Sequence, residues 1–533
     1  MAEEKETISI KLTNIRHPFD AAPDLKVLVK NVLGAEDVDI VHIRILRRSI
    51  DSRQERIDLV YTLLIELAAP GNALKKILAR SDVETCTEPQ ETASAAITGL
   101  TARPVIIGCG PAGLFAALTL IERGVQPILI ERGARMAQRV RDVDAFWKNG
   151  MLDAESNVFF GEGGAGTFSD GKLTTRIKSP LKDKVLSELI RLGAPEEILY
   201  SNKPHLGTDR IRRVISLIVE HLQQCGADFY FNTRVLDIPV QDGRISGVQA
   251  GEQFIAAETV FLATGHSARD IYYLLEQREA QLEAKGFAMG LRIEHPQEFI
   301  NRQQWGRWSG TAGLGAADYF LSFKDSRTGR GVYTFCMCPG GFVIACSSLP
   351  GELVTNGMSA YQRDSSWANA AVVVTVGPDD FGSQQPLAGI ALQRQLEEKA
   401  FLSGNGSFMI PAQAARDFVM GAGGALAISA SSCLPGAAPA DLGNLLPEFL
   451  HDPLKRALIH FDKKMPGFID QGTLFGVESR TSSPVRIKRD PHNFHAVGVR
   501  GLIPIGEGSG YAGGIMSCAV DGIRAARCFD KKQ

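Results

Sequence analysis

Apolar residues alternate with polar ones in "ISIKL", "VDIVHIRIL" and "RIDLVYTLLIEL", and recur at three- and four-residue spacing in "DLKVLVKNVLG" and "NALKKILAR". The first pattern buries one face of a strand; the second makes one face of a helix apolar. Residues 1–87 therefore read as strand, helix, strand, strand, helix, with the first helix ending at Gly34. That order predicts a small ferredoxin-like α/β domain. The next stretch, "TEPQETASAAITGLTAR", has no period and reads as a linker over 88–103.

A buried strand, "PVIIGC", then opens a larger unit. Its strands "DFYFNTRVLDI", "RISGVQA" and "TVFLATG" alternate with the helices "RIRRVISLIVEHLQQC" and "ARDIYYLLEQREAQLEA". From residue 287 the chain becomes strand-rich ("FLSFK", "GVYTFCMC", "GFVIAC", "AAVVVTV"), and an amphipathic helix follows over roughly Leu445 to Lys464. The strand "LIPIGE" then resumes the α/β pattern of residues 104–286. These patterns predict an α/β, Rossmann-like domain in two pieces, 104–286 and 461–533, interrupted by a strand-rich α+β domain at 287–460.

The pattern GxGxxG occurs three times, beginning at Gly108, Gly161 and Gly508. Only the first has the surroundings of a dinucleotide turn. Val105 to Ile107 leads into it, Gly108 allows the tight turn, Gly110 lets backbone approach a pyrophosphate, and Gly113 lets helix and strand pack. The helix beginning at Pro111-Ala112 points its free N–H groups at the phosphates. The next strand ends at Glu131-Arg132, with Glu131 placed to accept ribose hydroxyls; this suits NAD or FAD and disfavours NADP.

After Gly161 comes "TFSDGKLTT", with no helical period. That copy is a glycine-rich loop free to lie on a ligand held elsewhere, offering Gly163, Gly164, the Thr167 and Ser169 hydroxyls and the Lys172 ammonium. The third copy is too near the C-terminus for a βαβ unit of ~30 residues. It offers the Glu507 carboxylate and a helix N-terminus at Gly513-Gly514-Ile515.

Composition adds limits. The 54 glycines among 533 residues gather in these short stretches, which favours close backbone approach to ligands over disorder. A net charge of −2 gives no global field for nucleic acid or anionic lipid. The acidic "MAEEKE" start is unlike a secretory signal, and apolar runs such as Ala368 to Val376 fall short of the ~18 residues of a membrane span. Nine scattered cysteines suit reduced thiols in a cytoplasm. Cys336-x-Cys338, the only close pair, has neither the common redox nor a zinc spacing, so no metal is expected.

Together these residues resemble two-dinucleotide-binding-domain flavoproteins of glutathione-reductase-type fold. The matching pieces are the Gly108–Gly113 fingerprint, the "VFLATG" strand with Ala263-Thr264-Gly265, and Gly506-Glu507-Gly508, with Glu in place of the commoner Asp. More narrowly, "FGEGGAGTFSDGKL", "GLRIEHPQEFIN", "YTFCMCPGG", "TNGMS" and "GVESRTSSPVRI" are similar to a bacterial family of uncharacterised FAD-dependent dehydrogenases, across nearly the whole chain. The resemblance implies FAD held by the glycine and acidic positions above together with Val235, Thr264, Gly265 and Gly506, and a hydride passed between a small molecule and flavin N5. It brings no substrate. Thr264-Gly265-His266-Ser267 lacks the Asp of flavin hydroxylases, and the CxxxxC of disulfide reductases is missing after Gly113. With no second intact fingerprint, NADH or NADPH is expected only as a transient reductant.

For chemistry, Glu294-His295-Pro296 ends a strand, and His295 could move a proton beside a flavin; a structural histidine is the bland alternative. Period two puts Cys336 and Cys338 on one face, as an electron relay or as buried small hydrophobes. The same argument puts Glu478 and Arg480 together, as an ion pair at the flavin or a grip on a carboxylate substrate. Arg44, Arg47, Arg48, Arg53 and Arg56 form the one basic cluster, interleaved with Asp51 and Glu55, and read as a solvated face more than an RNA site. A rival reading makes the FAD structural and gives the N-terminal domain an RNA or protein partner; DNA is not expected, and oligomeric state stays open.

Overall fold

The structure, a computed structural model, describes residues 5–34, 38–53, 55–86, 95–98, 100–423 and 430–529. The expected linker thus falls partly outside the described residues, at 88–94 and 99. The chain divides into two compact units, Met1–Ala93 with Pro195–Pro204, and Ser94–Ala194 with His205–Gln533.

In the first unit, strand Glu6–Pro18 lies between Asp58–Ala69 and Val83–Thr85, and Asp39–Asp51 pairs with the far side of Asp58–Ala69, all antiparallel. Val83–Thr85 is the strand missing from the sequence pattern, since three residues are too few to show a period. Asp24 caps the helix Leu25–Leu33 by accepting from the Lys26 and Val27 N–H groups, and Gly34 ends it at φ 62°. Ile10, Leu12, Val29, Leu63, Ile65 and Ile77 form the core. The arginines of this unit are drawn to its own acceptors. Arg53 pairs with Asp51 and Arg56 with Asp58, both at 2.9 Å; Arg47 donates to Asn202, and Arg48 lies over the Tyr200 ring.

The second unit contains a five-stranded parallel sheet in the order Leu502–Pro504, Val260–Leu262, Val105–Ile107, Ile128–Ile130, Asp228–Tyr230. Helices Pro111–Glu122 and Ile515–Cys528 pack closely because Gly522 has no side chain: a Cβ there would lie 2.1 Å from the Ala112 carbonyl oxygen. The second sheet has seven strands, in the order Ser322–Lys324, Gly331–Cys338, Trp367–Val376, Phe287–Pro296, Thr473–Glu478, Ile410–Ala414, Ala437–Pro439. Its pairs are antiparallel except the last. Trp367–Val376 is buried along most of its length, which explains an uninterrupted apolar run instead of alternation. Helix Glu448–Lys464 covers this sheet with Leu454, Leu458 and Phe461 against Ile293, Val372 and Leu474. It begins three residues later than the apolar period suggests, a short helix, Leu442–Leu445, preceding it. One strand of this sheet, Thr473–Glu478, comes from beyond residue 460.

Candidate functional site

A cavity of about 560 Å³ opens at the carboxyl ends of the parallel strands and runs to the seven-stranded sheet. The first glycine motif forms one wall. Gly108 has φ 103°, and a Cβ on it would stand 2.5 Å from the Ala263 carbonyl oxygen, so the turn lies directly on the "ATG" strand end. A Cβ at Gly113 would meet the Gly108 oxygen at 2.1 Å, which is why helix and strand need glycine there. Gly110 has almost nothing around its Cβ direction; the nearest atom is the Gly164 Cα at 4.0 Å.

That neighbour belongs to the second glycine stretch, which makes the facing wall. Glu131 ties the two together. Its carboxylate accepts from the N–H groups of Cys109 (2.9 Å), Gly133 (3.0 Å) and Gly161 (2.9 Å), and Gly163 N–H donates back to the Cys109 carbonyl at 2.9 Å. Glu131 therefore clamps backbone besides lining the cavity. Arg139, fully buried, holds the rest of the loop, donating to the carbonyls of Asn157, Val158, Glu162 and Gly164 and to the Thr167 hydroxyl. Thr167 also donates to the Gly164 carbonyl, so its hydroxyl is spent inside the loop and does not line the cavity. The Ser169 hydroxyl is at the wall but donates to Gly166 and accepts from Gly171.

The third stretch closes the floor. Gly506 sits beneath the fingerprint helix, where a Cβ would lie 2.7 Å from that of Ala112, and it does not line the cavity. Glu507, Gly513, Gly514 and Ile515 do. Gly514 caps helix Ile515–Cys528 at φ 82° with open space about its Cβ direction, leaving the helix N-terminus bare toward the cavity. Pro111, Ala112, Arg132, Gly164, Lys172, Val235, Thr264 and Gly265 also line it, whereas Gly113 and Gly163 lie behind the wall. Arg132 is not a free cation: Glu155 and Asp270 hold it at 2.6 and 3.0 Å.

Three expectations for chemical residues are corrected. Glu294 and His295 lie outside the cavity. His295 is fully buried with its Nε2 at 2.8 Å from the Phe468 carbonyl and its ring against Phe299 and Phe468; burial pulls its pKa down to about 4. Glu294 is buried and accepts from the N–H and hydroxyl of Ser432, burial pushing its pKa up to about 7. A carboxyl that prefers its proton in the native state stabilises below the ordinary carboxyl range, and loses that contribution as pH rises toward 7. Glu294→Gln should therefore match the parent near pH 4 and exceed it by about 2–3 kcal/mol at pH 8, read by urea unfolding.

The second correction concerns Glu478 and Arg480, which both line the cavity but do not pair. The strand ends at Glu478, so Arg480 leaves the expected alternation. Glu478 takes Arg292 in two bonds of 3.0 and 3.1 Å, while Arg480 donates to Glu397 at 3.0 and 2.7 Å and lies over the Phe159 ring. The third concerns the cysteines. Cys336 stands at φ 43° in a bulge that shifts register between Phe335 and Cys338. Cys336 consequently lines the cavity, and Cys338 is fully buried behind it.

Several residues have no signal in the sequence. Asp170, fully buried, binds Lys172 at 2.8 Å and Arg363 at 2.9 and 2.5 Å, so the Lys172 ammonium is neutralised inside the loop. Its second tie is to the Met337 carbonyl. His266 lines the cavity with Nδ1 3.6 Å from Glu507. Arg292 carries the one readable hint: a charge set between Leu291 and Ile293 inside a strand must have a buried partner. Among the described residues no group of His, Cys, Asp or Glu could hold a metal, and no helix is long and apolar enough to cross a membrane.

Comparison with known proteins adds the following. Residues 286–481 match the family described as "FAD-dependent protein, C-terminal domain-like", residues 102–143 match an FAD binding domain, and residues 9–66 match a domain of unknown function. An uncharacterized protein of Clostridium beijerinckii is 42% identical over 534 residues, covering 98% of this chain and 99% of the relative. Among solved structures, CtdE in complex with FAD is similar at 13% identity and a TM-score of 0.30, covering 80% of this chain and 82% of that one. Glycine oxidase from Bacillus cereus is similar at 11% identity and a TM-score of 0.30, covering 80% and 96%. Likeness to these structures is too slight to carry an argument.

Proposed function

We propose, from the premise that the chain belongs to a family of FAD-dependent proteins, that it is an oxidoreductase whose small-molecule substrate lies between the cofactor and the seven-stranded sheet. The observation that carries this reading is the gap between Gly110 and Gly164. A Cβ on Gly164 would stand 3.1 Å from the Gly110 Cα and fill it, while Gly110 and Gly514 both leave open space. Bare backbone on three sides of one cavity fits a group that needs close approach to pyrophosphate and to a ring edge.

Bound there, FAD supplies a two-electron acceptor whose N5 takes a hydride. The turn at Gly108–Gly110 and the N-terminus of helix Pro111–Glu122 would hold the pyrophosphate, and Glu507 would accept from the ribityl chain. The bare N-terminus at Gly514 would set partial positive charge against the ring, an electrostatic contribution fixed in advance by the fold. Tyr333, Phe335 and Arg480 line the opposite wall and would position substrate and exclude water. The N-terminal unit, with its β-α-β-β-α-β order and antiparallel sheet, reads as ferredoxin-like.

Protein purified without added cofactor should carry FAD, and anaerobic NADH or NADPH should bleach it before a screen of acceptors. A protein that neither carries nor takes up flavin would sink the reading. Gly164→Val should lower flavin retention at least tenfold, scored by flavin-to-protein absorbance of the folded fraction. Gly163→Val should act on stability instead, since its Cβ would strike Thr167 and Ile215 at 2.4 and 2.8 Å.

A further inference from the structure

We infer that Cys336 and Cys338 form a redox-active dithiol at the cavity wall, with Cys336 the nucleophile toward small disulfide substrates and Cys338 the resolving thiol. The dithiol deepens the oxidoreductase reading and rests on it only for where the electrons come from.

Geometry supplies the first argument. In a straight strand residues two apart are separated by ~6.6 Å, at the limit for a disulfide. Here the bulge fits one extra residue between Phe335 and Cys338, with Cys336 left-handed, and the Cys338 thiol donates to the Cys336 carbonyl at 3.3 Å. The second sulfur thus lies against the first residue. A non-glycine residue at φ 43° is a conformation that persists only where the surroundings impose it, and such positions gather at functional sites.

Charge supplies the second. Two cations are anchored on this short turn by its own carbonyls: Lys172 on Met337, and Arg292 on Cys336 at 3.4 Å. Asp170 and Glu478 face the same region, each bound to one of them. With Cys338 beside it and Lys172 and Arg292 close by, the Cys336 thiol is held below its ordinary range against the opposing effect of burial, while Cys338 is pushed well up. One thiolate and one thiol, the thiolate outermost, is the order an exchange reaction needs.

The Cys336 thiolate attacks one sulfur of a substrate disulfide, forming a mixed disulfide and expelling one substrate thiolate. Cys338 attacks the Cys336 sulfur, its proton passing to the expelled thiolate, and the second substrate thiolate leaves, taking a proton from water. The net change is one substrate disulfide and two protein sulfurs to two substrate thiols and one protein disulfide. Two electrons, from reduced flavin or from added dithiothreitol, restore the pair.

The test uses the full chain as purified. Iodoacetamide labelling is followed by peptide mass across pH 4–10, with exposed Cys528 as internal reference. Cys336 should titrate at least about two pH units below Cys528, and Lys172→Met should move it up by about one unit or more, with Lys172→Arg restoring it. Oxidised glutathione should take two mass units from the Cys336–Cys338 peptide, and Cys338→Ser should instead trap a glutathione adduct on Cys336. Co-titration of Cys336 with Cys528, or an adduct at Cys336 that never resolves in the parent, overturns the inference even if flavin is bound. A low-titrating pair in a protein that takes up no flavin would leave the dithiol standing and sink only the FAD-dependent oxidoreductase.

Discussion

Arg139→Ala is expected to yield a protein that retains no flavin and is cut by protease between residues 157 and 168. The guanidinium is fully buried and serves five acceptors of one loop, at 2.7 to 2.9 Å. Removing it takes the donor from the carbonyls of Asn157, Val158 and Glu162 at once, Gly164 keeping Thr167; each unsatisfied buried group costs about 1–3 kcal/mol, so the loop's folded conformation loses at least about 3 kcal/mol. Burial also pulls the Arg139 pKa down to about 9, with Glu131 and Glu162 opposing that shift. Lysine has three donors on a flexible stem and cannot reach five acceptors. Arg139→Lys should therefore fall between parent and alanine in both flavin retention and urea midpoint. Equal flavin content in all three proteins would show that the loop does not need this residue.

The second large effect is expected at Glu397. This fully buried carboxylate accepts from Arg269 at 2.8 Å, from Ser479 at 2.6 Å and from Arg480 at 3.0 and 2.7 Å. Glu352 is the only other carboxylate paired with either arginine among the described residues. Glu397→Gln leaves two buried guanidinium groups facing one carboxylate and should cost about 3–5 kcal/mol. The pH dependence should change as well. Although burial opposes ionisation, Arg480 and Arg269 hold Glu397 far below the usual carboxylate range. A depressed acid contributes stability that is present above its unfolded pKa and is lost as pH falls. The parent should thus lose stability steeply below pH ~4.5, and the variant, already weakened, should show a flatter acid limb. Parallel acid limbs would show that the carboxylate's charge is not what joins these elements.

How far the sequence reveals this site depends on how local each signal is. The Gly108–Gly113 turn is legible because strand, turn, helix and acidic strand end lie within thirty residues, each with its own local rule. The Gly161 stretch is legible as a wall for the opposite reason, since the helix required for an independent fold does not follow it. The clamp that joins the two, Glu131 to the Gly161 N–H, reaches across 30 residues and has no local signature. Glu294 and His295 read as accessible in the sequence because they stand at a strand end. In fact Phe287–Pro296 lies between two neighbouring strands and is buried along nearly all its length, so period two cannot say which face meets a ligand. Glu478 and Arg480 show the same limit: their partners, Arg292 and Glu397, lie 186 and 83 positions away. A single sequence states that a buried charge needs a partner, but not which one.

The strand order of the parallel sheet bears on how the chain is made. Leu502–Pro504 is the edge strand beside Val260–Leu262, and the helix after it begins only at Ile515. Synthesis proceeds from the N-terminus at roughly 5–20 residues per second, so the fingerprint turn emerges tens of seconds before the piece that completes its floor. Through that interval the nascent chain carries a half-built cleft with an unpaired sheet edge, a form prone to association. Glu507 and the helix end at Gly514, which would help hold flavin, are thus absent from the chain during that interval. Cells short of flavin should accordingly accumulate the chain as aggregate before they show a loss of activity per folded molecule.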